Sequence, residues 1–367
     1  EMAAHYQALV GGKESPLPHL RVSYGDFAVW HRQWMQSDEI RRQTDFWKQQ
    51  LGSAQSGSAV HTDKPRPKVS SGKAANEYLA LDATLVHGLQ GLARQTGSTT
   101  SMVLLAAYAA LMSQWMDEPA PIIGLPVRGR PAPELESIMG FFNNTLPLRL
   151  QIDLSRSLAD TVRQVRQQLT DAIANQDVPF ERISEELKLP AGAIYQALFN
   201  FQDVRGRQTR WGDLQHERIH VPLDGATEDM NLWLVEEDKG VTGGFKYDPD
   251  LFFPSSIAAL RDRFTHLLTV GLLQPDQPMA GLLTPSLAEL AAMEAREPGL
   301  PVIKSQDLCQ LVEQRWASRH GLRALCVAEC CWTSEQLVDK LKQLGAIPPT
   351  FTPPEQFLKT QTAADWQ

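Results

Sequence analysis

Residues 140–152 read GFFNNTLPLRLQI, a turn-forming string followed by alternating apolar residues. Leucine or isoleucine occupies every second position from Leu146 to Ile152. This period of two predicts a half-buried β-strand. Pro147 places the strand at a sheet edge or at a bulge, because proline has no amide hydrogen to donate to a neighbouring strand. The stretch therefore indicates a fold built on a sheet.

Helical patterns surround that strand on both sides. Residues 52–76 are rich in Gly, Ser, Pro and Lys and are typical of a surface loop. Short runs typical of strands lie at 77–81, 121–127, 197–202, 232–236 and 241–247. Helical spacing is present in residues 2–10, 24–51, 99–115, 157–172 and 255–270. Mixed strands with long helices between them indicate an α/β layered domain.

The composition is that of a globular chain. Of its 367 residues, 43% are hydrophobic and 21% are charged, which suits one large domain or two smaller ones. The net charge of -8 argues against nucleic acid as a partner, since phosphate binding needs a basic surface. No apolar run approaches the roughly 18–20 residues of a membrane helix, so no membrane partner is expected.

Short motifs of generic catalysis and metal binding are missing from the sequence. It contains no phosphate-binding loop, no HExxH string and no GxSxG string. Cys309, Cys326, Cys330 and Cys331 form no CxxC pair and have no histidine at zinc-finger spacing. No metal site is therefore predicted, and the thiols are expected to be reduced in a cytoplasmic protein.

Three longer strings occur in order along the chain. They are YGDFAVW at 24–30, GFFNNT at 140–145 with Arg149 after it, and NQDVPFE at 175–181. They resemble the YxDYAVW, GxFVNTxxxR and (H/N)QDxPFE motifs of condensation domains from nonribosomal peptide synthetases. The strings FW at 46–47, DKPRP at 63–67 and GLPVRGR at 124–130 also match, and the family spacing holds through residues 1–285.

The resemblance implies a chloramphenicol-acetyltransferase-like fold, an α/β architecture of two lobes around a tunnel. The chain is then mainly the C-terminal lobe, with a mixed sheet and packed helices. The implied parts are a remnant of the N-terminal lobe at 1–23, the C-terminal lobe at 24–283, a linker at 284–306, the start of an adenylation domain at 307–345 and a disordered tail at 346–367. Residues 308–313 and 332–337 resemble the opening of an adenylation domain.

The resemblance also implies an activity and its partners. The intact domain forms an amide bond between two acyl groups that carrier proteins hold on phosphopantetheine, and no cofactor binds to the domain itself. The family's catalytic histidine lies in an HHxxxDG motif that this sequence does not contain, and we expect it upstream of Glu1. The chain alone is then inactive. A non-catalytic module that docks a carrier protein, and a relative that forms esters, remain as alternatives.

Seven residues are the candidates for the tunnel or its support. Tyr24 and Asp26 belong to the first motif. Arg149 is expected to pair with a carboxylate, which in the family is the aspartate of HHxxxDG, or else to face solvent. Asn144 and Thr145 are expected to satisfy backbone groups near the tunnel, or to form a purely structural turn.

The third motif supplies the other two candidates. Gln176 and Asp177 close one helix, and Asp177 with Pro179 is predicted to start the next, because aspartate caps helices and proline suits a first turn. The aromatic residues of the second and third motifs are assigned to the core rather than to a substrate wall. They are Phe141, Phe142 and Phe180.

Two stretches depart from the family pattern. LPAGAI at 189–194 replaces an RDxSRxPL-like string, and the acidic pair Glu228-Asp229 stands where the floor loop of the tunnel is expected. No substrate preference follows from either. Surfaces that would face the other lobe are expected to be exposed, which predicts marginal stability.

Overall fold

A computed structural model describes residues 1–283, with gaps at 15, 53–59, 131, 189–193, 207–209 and 216–224. The predicted linker, adenylation start and tail lie outside these residues. So do the four cysteines and most of the divergent LPAGAI string. Each helix within the described ranges is too short or too polar to cross a membrane.

The described residues alternate between helices and strands, as the sequence predicts. The helices are α1 (Met2–Val10), α2 (Tyr24–Trp34), α3 (Asp38–Leu51), α4 (Ala83–Thr96), α5 (Thr100–Trp115), α6 (Leu158–Ile173), α7 (Phe180–Leu187), α8 (Pro254–Leu273) and α9 (Met279–Leu283). The strands are β1 (Ala75–Leu81), β2 (Ile122–Val127), β3 (Asn144–Arg149), β4 (Ala197–Asp203), β5 (Arg210–Trp211), β6 (Leu214–Gln215), β7 (Met230–Glu237) and β8 (Gly240–Tyr247). A short 3₁₀ helix covers Pro133–Leu135.

Six strands form one mixed sheet in the order β1-β8-β7-β4-β2-β3, and β5 pairs with β6 in a separate hairpin. Strands β2, β4 and β7 are parallel, while β1, β3 and β8 pair antiparallel with their neighbours. The prediction that Pro147 marks an edge is confirmed, because β3 is the last strand of the sheet.

The predicted alternation is confirmed except at Pro147, since every Leu and Ile from Leu146 to Ile152 is buried while Thr145 and Arg149 are partly buried and Gln151 is exposed. Leu146, Pro147 and Leu148 are all buried. Pro147 lies opposite Gly124 in the register, and the ring of Tyr195 lies against Gly124. The second face of the sheet is therefore covered beside Pro147, which explains why this one intervening position is buried as well.

Helix α5 is the centre of the core. The sequence predicts one apolar face, but every residue from 103 to 113 is buried. Helices α4, α6 and α8 all contact α5, and they cover it on several sides. A helix that is apolar all round belongs in an interior. Its start is capped by Thr99, whose hydroxyl accepts a hydrogen bond from the Met102 amide at 3.3 Å.

The loop that carries the DKPRP string is tied down by ionic and backbone contacts. Arg66 forms a two-pronged ion pair with Asp229, which is buried, and this raises the pKa of the Arg66 guanidinium. Lys64 donates to the carbonyl oxygen of Pro249 at 2.8 Å, and the Asp63 carboxylate accepts from the Phe253 amide at 2.7 Å. The buried member of the acidic pair at 228–229 therefore has its own cation.

Candidate functional site

The first motif begins helix α2, and its aspartate caps that helix. The Asp26 carboxylate accepts hydrogen bonds from the Ser23 amide at 2.9 Å and the Ser23 hydroxyl at 2.8 Å, while the Asp26 amide donates to the Ser23 hydroxyl at 3.2 Å. The reciprocal bonds form a capping box. Both hydrogen bonds from Ser23 lower the pKa of the Asp26 carboxyl, and the bond from the Ser23 backbone amide has the larger effect. Asp26 therefore supports the helix.

Tyr24 connects the first motif to the second. Its hydroxyl donates to the carbonyl oxygen of Phe141 at 2.8 Å, and its ring meets the ring of Phe142 edge-on at 5.1 Å. A Cβ atom at Gly140 would lie 2.1 Å from the Tyr24 ring, so only glycine permits this approach. The glycine in GFFNNT is thus explained by the tyrosine of YGDFAVW.

The GLPVRGR string packs on the same turn. Gly129 has φ +58, and a Cβ atom there would lie 1.8 Å from the carbonyl oxygen of Phe142. Arg130 places its guanidinium 4.1 Å from the centre of the Phe142 ring and donates to the Leu135 carbonyl. Phe142 is therefore held by contacts to its backbone and to its ring.

Asn144 links the second motif to the third. Its side-chain amide donates to the carbonyl oxygens of Gln176 and Val178, each at 2.8 Å. Its side-chain oxygen accepts from the amides of Thr145 at 2.9 Å and Phe180 at 3.0 Å. Both donors and both lone pairs are used. Asn144 therefore fixes the segment 175–180 to the start of β3.

Thr145 supports an aromatic side chain beside that link. It is hydrogen-bonded with Tyr195, whose pKa is raised to about 12, mainly by burial. The Tyr195 ring packs on Phe180 at 5.4 Å and covers Gly124, where a Cβ atom would lie 2.6 Å from it. The first glycine of GLPVRGR thus makes room for Tyr195.

The third motif is held from its other side by helix α3. The Gln43 side chain donates to the Asp177 carboxylate at 2.9 Å and accepts from the Asp177 amide at 3.1 Å. The Trp47 ring nitrogen donates to the carbonyl oxygen of Asn175 at 2.8 Å. The prediction that Asp177 starts the next helix is wrong, because α7 begins after Pro179 without a side-chain cap. The Asp177 carboxylate is instead bonded to Gln43, and the Phe180 amide is bonded to Asn144.

Arg149 lies at the far end of β3. It is half-buried, and its guanidinium donates to the carbonyl oxygen of Gln50, near the C-terminal end of α3, at 3.4 Å. A cation there is favoured by the helix dipole. Its pairing with a carboxylate stays a prediction.

The structure therefore brings most of the predicted residues together. One hydrogen-bonded network contains Tyr24, Asn144, Thr145, Gln176 and Asp177. We call this network, which spans residues 24–27, 140–145 and 175–180, the motif junction. Asp26 lies within the first of these ranges, where it caps α2, and Arg149 lies apart from the junction near the end of α3.

Two kinds of residue differ from the sequence-based assignment. The assignment of Phe141 to the core is wrong, since this residue is 79% exposed and its carbonyl, not its ring, contacts Tyr24. Gln43 and Tyr195 are missing from the candidates. The FW string signals Trp47, but no local pattern marks Gln43, since its partner is 134 residues away.

The chemistry of the motif junction is that of a scaffold. The side chains of Asn144 and Asp177 are bonded to backbone groups and to Gln43, whereas the side-chain oxygen of Asn175 is buried without a hydrogen-bond partner. Over the described ranges, no three His, Cys, Asp or Glu side chains are grouped as metal ligands. The arrangement can fix a rigid wall.

Comparison with known proteins identifies this scaffold. The model of the family described as condensation domain matches residues 1–294. The chain is 33% identical to a linear gramicidin synthase component of Brevibacillus parabrevis over 288 residues, 77% of this chain and 4% of that protein. It is 33% identical to phosphinothricin tripeptide synthetase PhsC of Streptomyces viridochromogenes over 309 residues, 82% of this chain and 28% of that protein. The chain thus spans a small part of the curated relatives that it matches.

Solved structures share the fold. The X-domain in its complex with OxyB from teicoplanin biosynthesis has a TM-score of 0.66 and 24% identity, over 77% of this chain and 64% of that chain. The starter condensation domain of rhizomide synthetase has a TM-score of 0.64 and 21% identity, over 76% of this chain and 62% of that chain. The expected chloramphenicol-acetyltransferase-like α/β fold is thereby confirmed. With a family match over residues 1–294 and the family's motifs joined in space, the chain belongs to the condensation domain family.

Proposed function

We propose that the chain is part of a nonribosomal peptide synthetase, in which it supplies the C-terminal lobe of a domain that forms amide bonds. The observation that carries this proposal is the condensation domain match over residues 1–294. The named relatives include a linear gramicidin synthase and a phosphinothricin tripeptide synthetase. The motif junction is consistent with the same assignment.

The proposed substrates are two acyl groups, each held as a thioester on the phosphopantetheine arm of a carrier protein. The amine of the acceptor attacks the thioester carbonyl carbon of the donor. A carbon–nitrogen bond forms and the carbon–sulfur bond breaks. The proton lost by the amine is taken up by the departing thiolate, so the donor carrier is left with a free thiol. The reaction as written balances without an oxidant or a reductant.

The residues of this chain would act in that reaction as a wall. We infer that Asn144 and Thr145 hold the inner turn of the tunnel, and that Gln176 and Asp177 present the segment 175–180 alongside it. Tyr24 would keep the 140–142 turn in place. Arg149 would pair with a carboxylate from the HHxxxDG motif.

The general base is proposed to come from outside these residues. None of the chain's nine histidines stands in an HHxxxDG string. An amine must lose a proton during amide formation, and histidine is the side chain most often suited to accept it near neutral pH. Residues 307–345 are proposed to open an adenylation domain, and the cytoplasm is the proposed compartment.

The proposed function is tested with the full-length protein that the gene encodes. Donor and acceptor carriers are loaded with acyl groups, and the acceptor carrier is examined by mass spectrometry. The expected result is an acceptor whose mass has increased by the donor acyl group in amide linkage. An unchanged acceptor, or an ester product, would contradict the proposal.

The 367-residue chain by itself is expected to form no amide product above the uncatalysed background in the same assay, because it contains no HHxxxDG string. The full-length protein is the positive control. An amide product formed by the isolated chain at a rate comparable to the control would show that the base lies within it.

A docking module is the second candidate, because the side chains that join the motif junction make structural hydrogen bonds. Such a module would bind a loaded carrier protein without changing it. If the full-length protein binds the carrier but forms no amide with any donor tested, its function is that of a docking module and not of an enzyme.

A further inference from the structure

The segment 175–180 is held by two elements that contact it separately. Strand β3 holds it through the hydrogen bonds of Asn144. Helix α3 holds it through Gln43 and Trp47, which are one helical turn apart. The two sets of hydrogen bonds come from different segments of the chain, so a substitution can remove one set while the other stays in place.

Gln43 lies where two carboxylates converge. It is 2% exposed, and its side-chain nitrogen donates to Glu39 at 3.0 Å as well as to Asp177 at 2.9 Å. Its side-chain oxygen accepts the Asp177 amide at 3.1 Å. Hydrogen bonds from Arg42 and then Gln43 lower the pKa of Glu39 to about 2, so that carboxylate is charged near neutral pH.

A neutral group with two donors and one acceptor satisfies that position. A carboxylate would bring a third negative charge beside Glu39 and Asp177, and an apolar side chain would leave the Asp177 amide without its acceptor. The hydrogen-bond partners, and not packing alone, therefore explain why position 43 has the side-chain amide of glutamine.

We propose that Gln43 is a positioning residue, which sets where residues 175–180 lie along the wall of the site through its paired bonds to Asp177. Its bearing on turnover rests on the proposed function, whereas its control of the segment does not. Trp47 bonds to the carbonyl oxygen of Asn175, and Gln43 sets how the residues after Asn175 align against α3.

The test is the substitution Gln43→Glu, with Gln49→Glu as the matched control. Gln49 lies on the same helix and is exposed. Hydrogen exchange of the full 367-residue chain is measured in the segment 175–180 and in α5, at about pH 5 and about pH 7.5. Each variant is compared with the native chain at the same pH, which removes the intrinsic pH dependence of exchange.

The expected pH dependence follows from the charges that face position 43. They are Glu39 on α3, which is paired with Arg42, and Asp177 on the segment, which interacts with His31 of α2. Further along α3, Lys48 is paired with Glu186 of α7. Burial beside two carboxylates raises the pKa of a glutamate at 43 above its ordinary value of about 4.3. Stability from the protonated form is present at low pH and is lost as pH rises through that raised pKa.

We therefore expect Gln43→Glu to lower protection of 175–180 by about tenfold at about pH 7.5, with a smaller loss at about pH 5 and no change in α5. Gln49→Glu should match the native chain at both pH values. Equal protection in Gln43→Glu and the native chain at the higher pH would overturn the proposal, as would an equal loss throughout the molecule.

A second measurement separates this proposal from the proposed function. In the full-length protein, Gln43→Glu should slow amide formation at about pH 7.5 relative to the native protein and recover part of that rate near about pH 6. If the native protein forms no amide, the proposed function fails while the exchange result still decides the role of Gln43. If the exchange pattern changes while the ratio of the variant's rate of amide formation to the native rate does not, the positioning role of Gln43 in the reaction is overturned.

Discussion

Replacing Asn144 with alanine is expected to lower the free energy of unfolding by about 3 kcal/mol. The substitution removes four hydrogen bonds at once and leaves the carbonyl oxygens of Gln176 and Val178 without this donor. It also leaves the amides of Thr145 and Phe180 without this acceptor. Each partly buried group left unpaired costs about 1–3 kcal/mol, reduced where water can reach it. The midpoint of urea unfolding measures the loss.

Two further variants make this result specific. Asn143 is exposed, so Asn143→Ala should change stability by less than about 0.5 kcal/mol. Asn144→Asp keeps the shape and the acceptor but places a negative charge beside two carbonyl oxygens, and should be about as damaging as alanine. A stability of Asn144→Ala equal to that of Asn143→Ala would mean that the four bonds do not hold the segment.

The substitution Gly129→Ala is expected to have the second large effect, also about 3 kcal/mol. The residue has φ +58, a conformation in which a side chain costs about 1–2 kcal/mol. The added Cβ atom would in addition lie 1.8 Å from the Phe142 carbonyl oxygen, which is backbone and can move only with the 140–145 turn. Thermal and urea unfolding both measure the change.

Gly72→Ala separates the two causes of that loss. Gly72 has φ +68, and a Cβ atom there meets nothing within 4 Å. It should therefore cost only the conformational penalty of about 1 kcal/mol. If Gly129→Ala and Gly72→Ala are equally destabilised, the contact between Gly129 and Phe142 contributes nothing to the fold.

Local patterns predicted most strands of the large sheet and the long helices α5, α6 and α8, but not α4, α9 or the β5–β6 hairpin. The period-two run located β3, a short strand-like run located β4, and helical spacing from residue 157 located α6. These features depend on residues a few positions apart, so one stretch of sequence contains the whole cause. The proline in β3 even identified an edge of the sheet, because a missing donor is a property of the residue alone.

Contacts between distant segments account for what local patterns missed. The Asp177 carboxylate had a plausible local role as a cap, but a side chain 134 residues away competes for it. The covering of the sheet beside Pro147 depends on Tyr195, which no pattern near β3 reveals. For the candidate site, the motif strings identified the segments that come together. The side chains that join those segments could be identified only from the structure.

Several apolar side chains of the described residues are exposed. Met2, Leu9 and Val10 of α1 are each more than 70% exposed, and Trp30 of α2 is 44% exposed. Phe141 adds to the apolar surface near the motif junction. Apolar surface of this kind often marks a contact face, and its exposure lowers the stability gained from burial.

The family motifs meet at one junction around the segment 175–180, and a double-mutant cycle of Asn144→Ala with Gln43→Ala tests this most directly. Both residues hold that segment, so the second substitution should cost about 1 kcal/mol less once the first is present. Asp82→Ala, which removes the cap of α4, should be additive with Asn144→Ala. Additivity of the Asn144 and Gln43 substitutions to within about 0.5 kcal/mol would contradict the junction.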